Sequence, residues 1–266
     1  LPKPKVYIGI PIGFTKEYST LYMLASLRNL DYPPDELKVT FAVTCIKGHD
    51  GSIAYRDKLK ALVTSANMPY ETNVIESWPT PEDFQRFSSY FGVICNLHEL
   101  RLDFLKQTEY EYFWLLGGDN PPPRNTLRKL MRTKGDVVSA VIHQRPLKSD
   151  NGKAYPVVWS RYWMVNDIPH NLEPELREEL RTAWREFAFL KNIQLPAKGV
   201  LHNVAFGSGC SLVSRQVLEY SGYVLGYGAT HSEDLHFCQN LALLGFDAKV
   251  NLGTVCMHFD SGGQVY

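Results

Sequence analysis

The sequence predicts an α/β protein built on a mainly parallel central sheet with helices on both faces. Two observations predict it. Short β-rich runs alternate with helix-period segments through the first half of the chain, which is the signature of strands joined by crossover helices. One of these runs, Tyr112 to Leu116, is aromatic and aliphatic and stops at Gly117-Gly118-Asp119-Asn120-Pro121-Pro122-Pro123. Ligands of open α/β sheets collect at such carboxyl ends of strands.

The first strand is expected over residues 6–10, broken at Pro11. A helix with Leu21, Leu24, Leu27 and Leu30 on one side follows. It must end before Pro33-Pro34, because proline disfavours helical geometry in the residue preceding it. A second strand over 39–45 leads to a Gly/Asp-rich loop, a helix near 54–66 and a third strand near 72–75. A long helix over 93–107 feeds the strand that ends at Gly117.

After a strand at 136–142 the alternation fails. Residues 143–204 carry an aromatic stretch with Trp159, Tyr162 and Trp163, then a helix of interleaved charges near 173–190. Excursions of this kind on a rigid scaffold are where binding surfaces vary. Aromatic rings bury apolar surface well, and such residues more often belong to the core. The last part is a strand and turn over 206–213, a short helix from Arg215, and a helix from Ser232 to Leu244 stopped by Gly245. Ser232 is a good N-cap, and Glu233 and Asp234 fall in the first turn, where acids are ordinary stabilisers of the helix dipole. Two more strands, near 248–251 and 254–257, deliver His258.

At 266 residues the chain can fill one large domain. Lys and Arg total 28, as do Asp and Glu, so no global field recruits nucleic acid or an anionic membrane. Cys45, Cys95, Cys210, Cys238 and Cys256 are spread singly with no C-x-x-C pair. They are expected as buried thiols in a reducing compartment, which points to the cytoplasm. No apolar run approaches the roughly 20 residues of a membrane span, and a removed anchor or targeting segment stays open.

The pieces, in this order, resemble the GT-A glycosyltransferases, particularly the family 2-like enzymes, over nearly the whole chain. The matching segments are Trp114 to Asp119, Gly207-Ser208-Gly209-Cys210 to Arg215, Ser232-Glu233-Asp234-Leu235 and Cys256-Met257-His258. The resemblance implies a single GT-A domain, with 1–142 binding a nucleotide sugar and 143–266 binding the acceptor and carrying catalysis. It implies that Pro11, Ile12, Thr15, Thr44, Asp50, Arg101, Gly118 and Asp119 hold the donor. Trp159, Trp163, Gly207, Ser208 and Gly209 would serve the acceptor.

The same resemblance places a divalent metal, Mn2+ or Mg2+, on Asp119 and His258, and makes Asp234 the general base with Glu233 beside it. Transfer from a UDP- or GDP-linked sugar to an acceptor hydroxyl, with inversion, is the implied reaction. One departure is plain: the first acid of the family's Asp-x-Asp is Gly117 here. That departure leaves open a non-catalytic binding protein of the same fold, and a sugar-nucleotide nucleotidyltransferase, whose related α/β scaffold also presents Asp residues after strands, stays open too. Arg101 as a helix-surface charge and His258 as a core or surface residue stay open as well.

Overall fold

The computed structural model describes residues 3–144, 155–156, 158–160, 198–202, 204–223 and 233–259. The strands are β1 (Val6–Ile12), β2 (Leu37–Thr44), β3 (Glu71–Ser77), β4 (Tyr112–Leu116), β5 (Val137–Gln144), β6 (Tyr155–Pro156), β7 (Val158–Ser160), β8 (Val200–His202), β9 (Val204–Phe206), β10 (Cys210–Ser214) and β11 (Ala248–Cys256). The helices are α1 (Thr20–Arg28), α2 (Asp50–Ser65), α3 (Pro81–Lys106), α4 (Thr126–Thr133), α5 (Arg215–Tyr220) and α6 (Glu233–Leu243).

Among the described residues one large sheet runs in the order β3-β2-β1-β4-β10-β5-β11-β8, with β6 beside β5, and β7 pairs β9 apart from it. The pairs β3–β2, β2–β1, β1–β4 and β5–β11 are parallel, whereas β10 runs antiparallel to both β4 and β5. This is the mainly parallel sheet that the alternation predicts. One strand is reversed at its centre.

Strand alternation explains the two cores. Val6, Ile8, Ile10 and Ile12 of β1 pack on one face with Val39, Phe41, Val43, Trp114 and Leu116. Tyr7 points to the other face with Phe113, Leu115, Leu97, Leu100 and Phe104. Both faces are covered, so these strands are apolar almost throughout, as parallel strands buried on two sides must be. Each such side chain contributes about 1.5–3 kcal/mol by leaving water. Gly9 is small because a Cβ there would lie 2.6 Å from Phe113 Cε2.

Several elements differ from the sequence expectation. α1 buries Thr20, Met23, Leu24 and Leu27, an i, i+3, i+4, i+7 stripe, while Leu21 is 64% exposed. α4 was hidden behind three prolines and is two turns long; Leu127 and Leu130 anchor it. The last two expected strands are one strand, β11, with a register shift between Asn251 and Val255 where Asn251 Oδ1 accepts from the Gly253 N–H. Cys210 and Cys256 are not separate thiols: β10 and β11 flank β5, their sulfurs adjoin as a disulfide, and their Cα atoms are 6.7 Å apart. The helix expected near 173–190 lies outside the described residues. No helix among the described residues is long and apolar enough to cross a membrane.

Candidate active site

The carboxyl ends of β1, β2 and β4 open into one cleft of about 400 Å3, within the usual range for small-molecule sites. Three loops, one helix N-terminus and one side of α3 form it.

The first wall follows β1. Pro11 and Ile12 end the strand, and Phe14–Ser19 make a tight 3-10 turn that presents Thr15 and Lys16. Asn96 of α3 stands behind this wall, 1% exposed. Its Nδ2 donates to the Ile12 carbonyl (3.1 Å) and to Thr44 Oγ1 (2.9 Å), and its Oδ1 accepts from Ser77 Oγ. One amide therefore ties the ends of β1, β2 and β3 together. Phe14 meets the His49 ring at 4.7 Å on the same side.

The second wall is the turn after β4. Asn120 N–H donates to the Gly117 carbonyl (2.8 Å), which closes the turn and raises Asp119 into the cleft. The Phe259 N–H donates to the Asp119 carbonyl (3.0 Å), so the tail of β11 is pinned alongside and His258 is brought to the carboxylate. His258 Nδ1 lies 2.9 Å from the His143 carbonyl oxygen and can only donate to it, which leaves Nε2 facing Asp119 Oδ2 at 3.3 Å. Lys16 Nζ pairs with that same oxygen.

Burial works against the charge on Asp119, yet the His258 hydrogen bond and the Lys16 ammonium hold its carboxyl below the ordinary range. Burial likewise works to lower His258 and Lys16, and Asp119 outweighs it, raising both.

The third wall is the β9–β10 turn with α6. Gly117 N–H donates to the Gly209 carbonyl (2.7 Å), fastening this turn to the second wall. Asp234 Oδ1 accepts from the Ser208 N–H at 3.0 Å and from Ser208 Oγ. Burial raises the Asp234 carboxyl, and the two Ser208 bonds pull the other way. Glu233 is raised to about 7, by burial first and by the charge of Asp234 second, and its Oε2 is buried with no hydrogen-bond partner.

Of the residues expected from sequence, Pro11, Ile12, Thr15, Thr44, Gly118, Asp119, Gly207, Ser208, Gly209, Glu233, Asp234 and His258 come together around this cleft. Two do not. Asp50 opens α2, exposed and outside the cleft lining. Arg101 faces away: its Nε donates to the Leu218 carbonyl at 2.7 Å, capping the end of α5 from α3. Trp159 lies on β7, whose side chains are outside the described residues, and Trp163 lies outside them altogether. Lys16, Asn96 and Asn120 line the cleft without having been singled out.

The donor set fits a hard divalent ion. His258 donates Nδ1–H to a backbone carbonyl, so on losing its Nε2 proton it turns a bare nitrogen toward a metal, and the Nε2–Oδ2 separation suits two neighbouring ligands of one ion. Among the described residues no group of three or more His, Cys, Asp or Glu gathers. Phosphate oxygens would have to complete the shell.

No protein-family model matches the chain, and no curated protein matches its sequence. Solved structures do match. The mannosyltransferase PcManGT from Pyrobaculum calidifontis, in complex with GDP-Man and Mn2+, superimposes with a TM-score of 0.53 at 17% identity, covering 96% of this chain and 56% of that one. TarS 1-349 from S. aureus gives 0.50 at 13% identity, covering 95% and 59%. The chain has a GT-A fold.

The likeness carries the architecture, and the chain spans rather more than half the length of these structures. Within a GT-A fold the cleft described above lies where the parallel half of the sheet meets the reversed strand β10, the topological switch point at which ligands bind. Local packing accounts for Gly117. A Cβ there would press on Asn120 Oδ1, and a Cβ at Gly209 would approach the same atom at 2.5 Å. Asn120 is wedged between two glycines, and its Nδ2 donates to the Met257 carbonyl at 3.3 Å.

Proposed function

We propose that the chain is a nucleotide-sugar-dependent glycosyltransferase that moves a sugar from a UDP- or GDP-linked donor to an acceptor hydroxyl with inversion. One observation carries the reading: a single cleft at the carboxyl ends of the parallel strands holds both the Asp119–His258 pair and the Glu233–Asp234 pair. A structure of the same fold holding GDP-Man and Mn2+ supports it.

In this reading the base and ribose of the donor lie along Pro11, Ile12, Thr15 and Thr44, and the diphosphate lies over Gly118 and Asp119. A divalent ion on Asp119 and His258, when bound, acts as a Lewis acid that neutralises the leaving diphosphate. Asp234 is the general base. As the acceptor oxygen bonds to the anomeric carbon, the bond from that carbon to the diphosphate oxygen breaks, and the electron pair leaves with the diphosphate. The hydroxyl proton passes to the Asp234 carboxylate. Ser208 holds that carboxylate by Oδ1, orienting it and favouring its ionised form against burial. Trp159, Trp163 and the Gly207-Ser208-Gly209 turn serve the acceptor side.

Calorimetric titration with UDP, GDP, CDP and TDP, each with and without Mn2+, tests the donor. One diphosphate tightened by Mn2+ is expected, and silence from all four would overturn the reading. Asp234→Asn should leave that binding in place and lower transfer at least about 100-fold, the low end for a general base. Normal turnover by the variant would remove Asp234 from the role.

A further inference from the structure

Lys16 stands where a cation and an anion would both have to be received. Its backbone is fixed. The Lys16 N–H donates to the Gly13 carbonyl (2.9 Å), and Ser19 Oγ lies 2.7 Å from the carbonyl oxygens of both Lys16 and Gly118. The loop after β1 is thereby tied to the turn that carries Asp119. From this base the side chain reaches Asp119 Oδ2, the oxygen that also faces His258 Nε2 at 3.3 Å. The Lys16 side chain is 40% exposed and the Asp119 side chain 9%. The ammonium is thus the solvent-facing partner, on a flexible four-carbon stem with three rotatable donors.

A divalent ion held by Asp119 and His258 needs the oxygen that Lys16 occupies. An ammonium and a dication on one carboxylate oxygen repel each other strongly in a partly dry cleft, where charge is poorly screened. A diphosphate beside them removes the conflict, since it offers the lysine a richer set of acceptor oxygens within the same cleft.

We propose that Lys16 competes with the divalent metal for Asp119 and passes its ammonium to the donor diphosphate, so that metal and nucleotide bind together and the metal alone binds weakly. The proposal rests on the glycosyltransferase reading above. Lys16 is a positioning and binding residue in it: it keeps the Asp119 carboxylate aligned, then neutralises one charge of the leaving group. Its Nζ changes partner without transferring a proton.

The test measures binding by the full chain, without turnover. Mn2+ is titrated alone, by electron paramagnetic resonance of the free ion, into wild type, Lys16→Met and Lys16→Arg. Lys16→Met keeps the stem and removes the charge, and should bind Mn2+ at least about tenfold more tightly. Lys16→Arg keeps a cation on the carboxylate and should stay weak. The same titrations in saturating GDP or UDP should show a larger nucleotide-induced tightening in wild type than in Lys16→Met.

Equal Mn2+ affinity in wild type and Lys16→Met overturns the competition, and an equal nucleotide effect in both overturns the transfer to phosphate. Failure of the donor reading looks different: no diphosphate binds any of the three proteins, while the Mn2+ series without nucleotide still decides whether Lys16 competes.

Discussion

His258 Nδ1 donates to the carbonyl oxygen of His143 across 2.9 Å, and this one bond decides what the other ring nitrogen can do. It turns Nε2 toward Asp119 Oδ2 at 3.3 Å, and in the proposed reading that nitrogen, once deprotonated, joins Asp119 in holding a divalent ion. His258→Gln should therefore lower the Mn2+-dependent part of nucleotide binding by at least about tenfold and leave the Mn2+-independent part close to wild type. Calorimetry with and without EDTA separates the two parts. An equal loss in both would mean that His258 only supports the fold.

Arg101 separates a binding role from a structural one. Its guanidinium caps the Leu218 carbonyl from α3, and a Cβ added at Gly222 would touch its side chain at 3.4 Å, so it is packed as well as bonded. Arg101→Met should cost about 1–2 kcal/mol in urea unfolding, the range for a lost charge-assisted bond and the carbonyl left behind. Nucleotide affinity should stay within about twofold of wild type, a difference under 0.5 kcal/mol. A large loss of affinity at unchanged stability would return Arg101 to the diphosphate.

Much of this was legible in the chain. Strand β4 and its glycine-proline stop were readable because a short continuous aromatic and aliphatic run ending in turn formers suits a buried strand. The order Asp119, Glu233–Asp234, His258 then located most of the cleft. What could not be read depends on contacts across the fold. Arg101 and Asn96 share one helix, and sequence does not say which of its faces meets the cleft; Asn96 reaches Ile12, 84 residues away. Lys16 reaches Asp119 across 103 residues. The sulfurs of Cys210 and Cys256, 46 residues apart, meet only because β10 and β11 both flank β5. Helix α4 escaped because proline runs announce a loop and two turns make a weak periodic signal.

Gly117 stands where the family pattern has an acid, and packing explains it. Asn120 Oδ1 fills the space a side chain would need, and a Cβ at Gly209 would meet the same atom at 2.5 Å. Gly117→Ala should cost about 1–3 kcal/mol, as overpacking does. Combined with Asn120→Ala the cost of the alanine should largely vanish, a coupling of about 1 kcal/mol or more in a double-mutant cycle read by denaturant unfolding. Strict additivity would show that the glycine answers to backbone conformation or to the ligand instead.

Glu233 gives the protein a pH dependence whose sign is fixed by its surroundings. Burial and the neighbouring Asp234 raise its carboxyl from 4.5 to about 7 in the folded chain. Between those two values the folded protein keeps a proton that the unfolded chain has released, so stability falls as pH rises through the window and levels off above it. Gln cannot titrate and resembles the protonated acid in shape and hydrogen bonding. Glu233→Gln should melt close to wild type at pH 5 and above it at pH 8, by at least roughly 2–4 °C if about 1 kcal/mol of the burial cost is relieved. In the proposed reading, transfer by the wild-type protein should rise through the same window as the coupled carboxylates ionise. A melting difference that is the same at both pH values would mean that Glu233 is ionised in the folded protein well below neutrality, and the rise in activity would then belong to Asp234 alone.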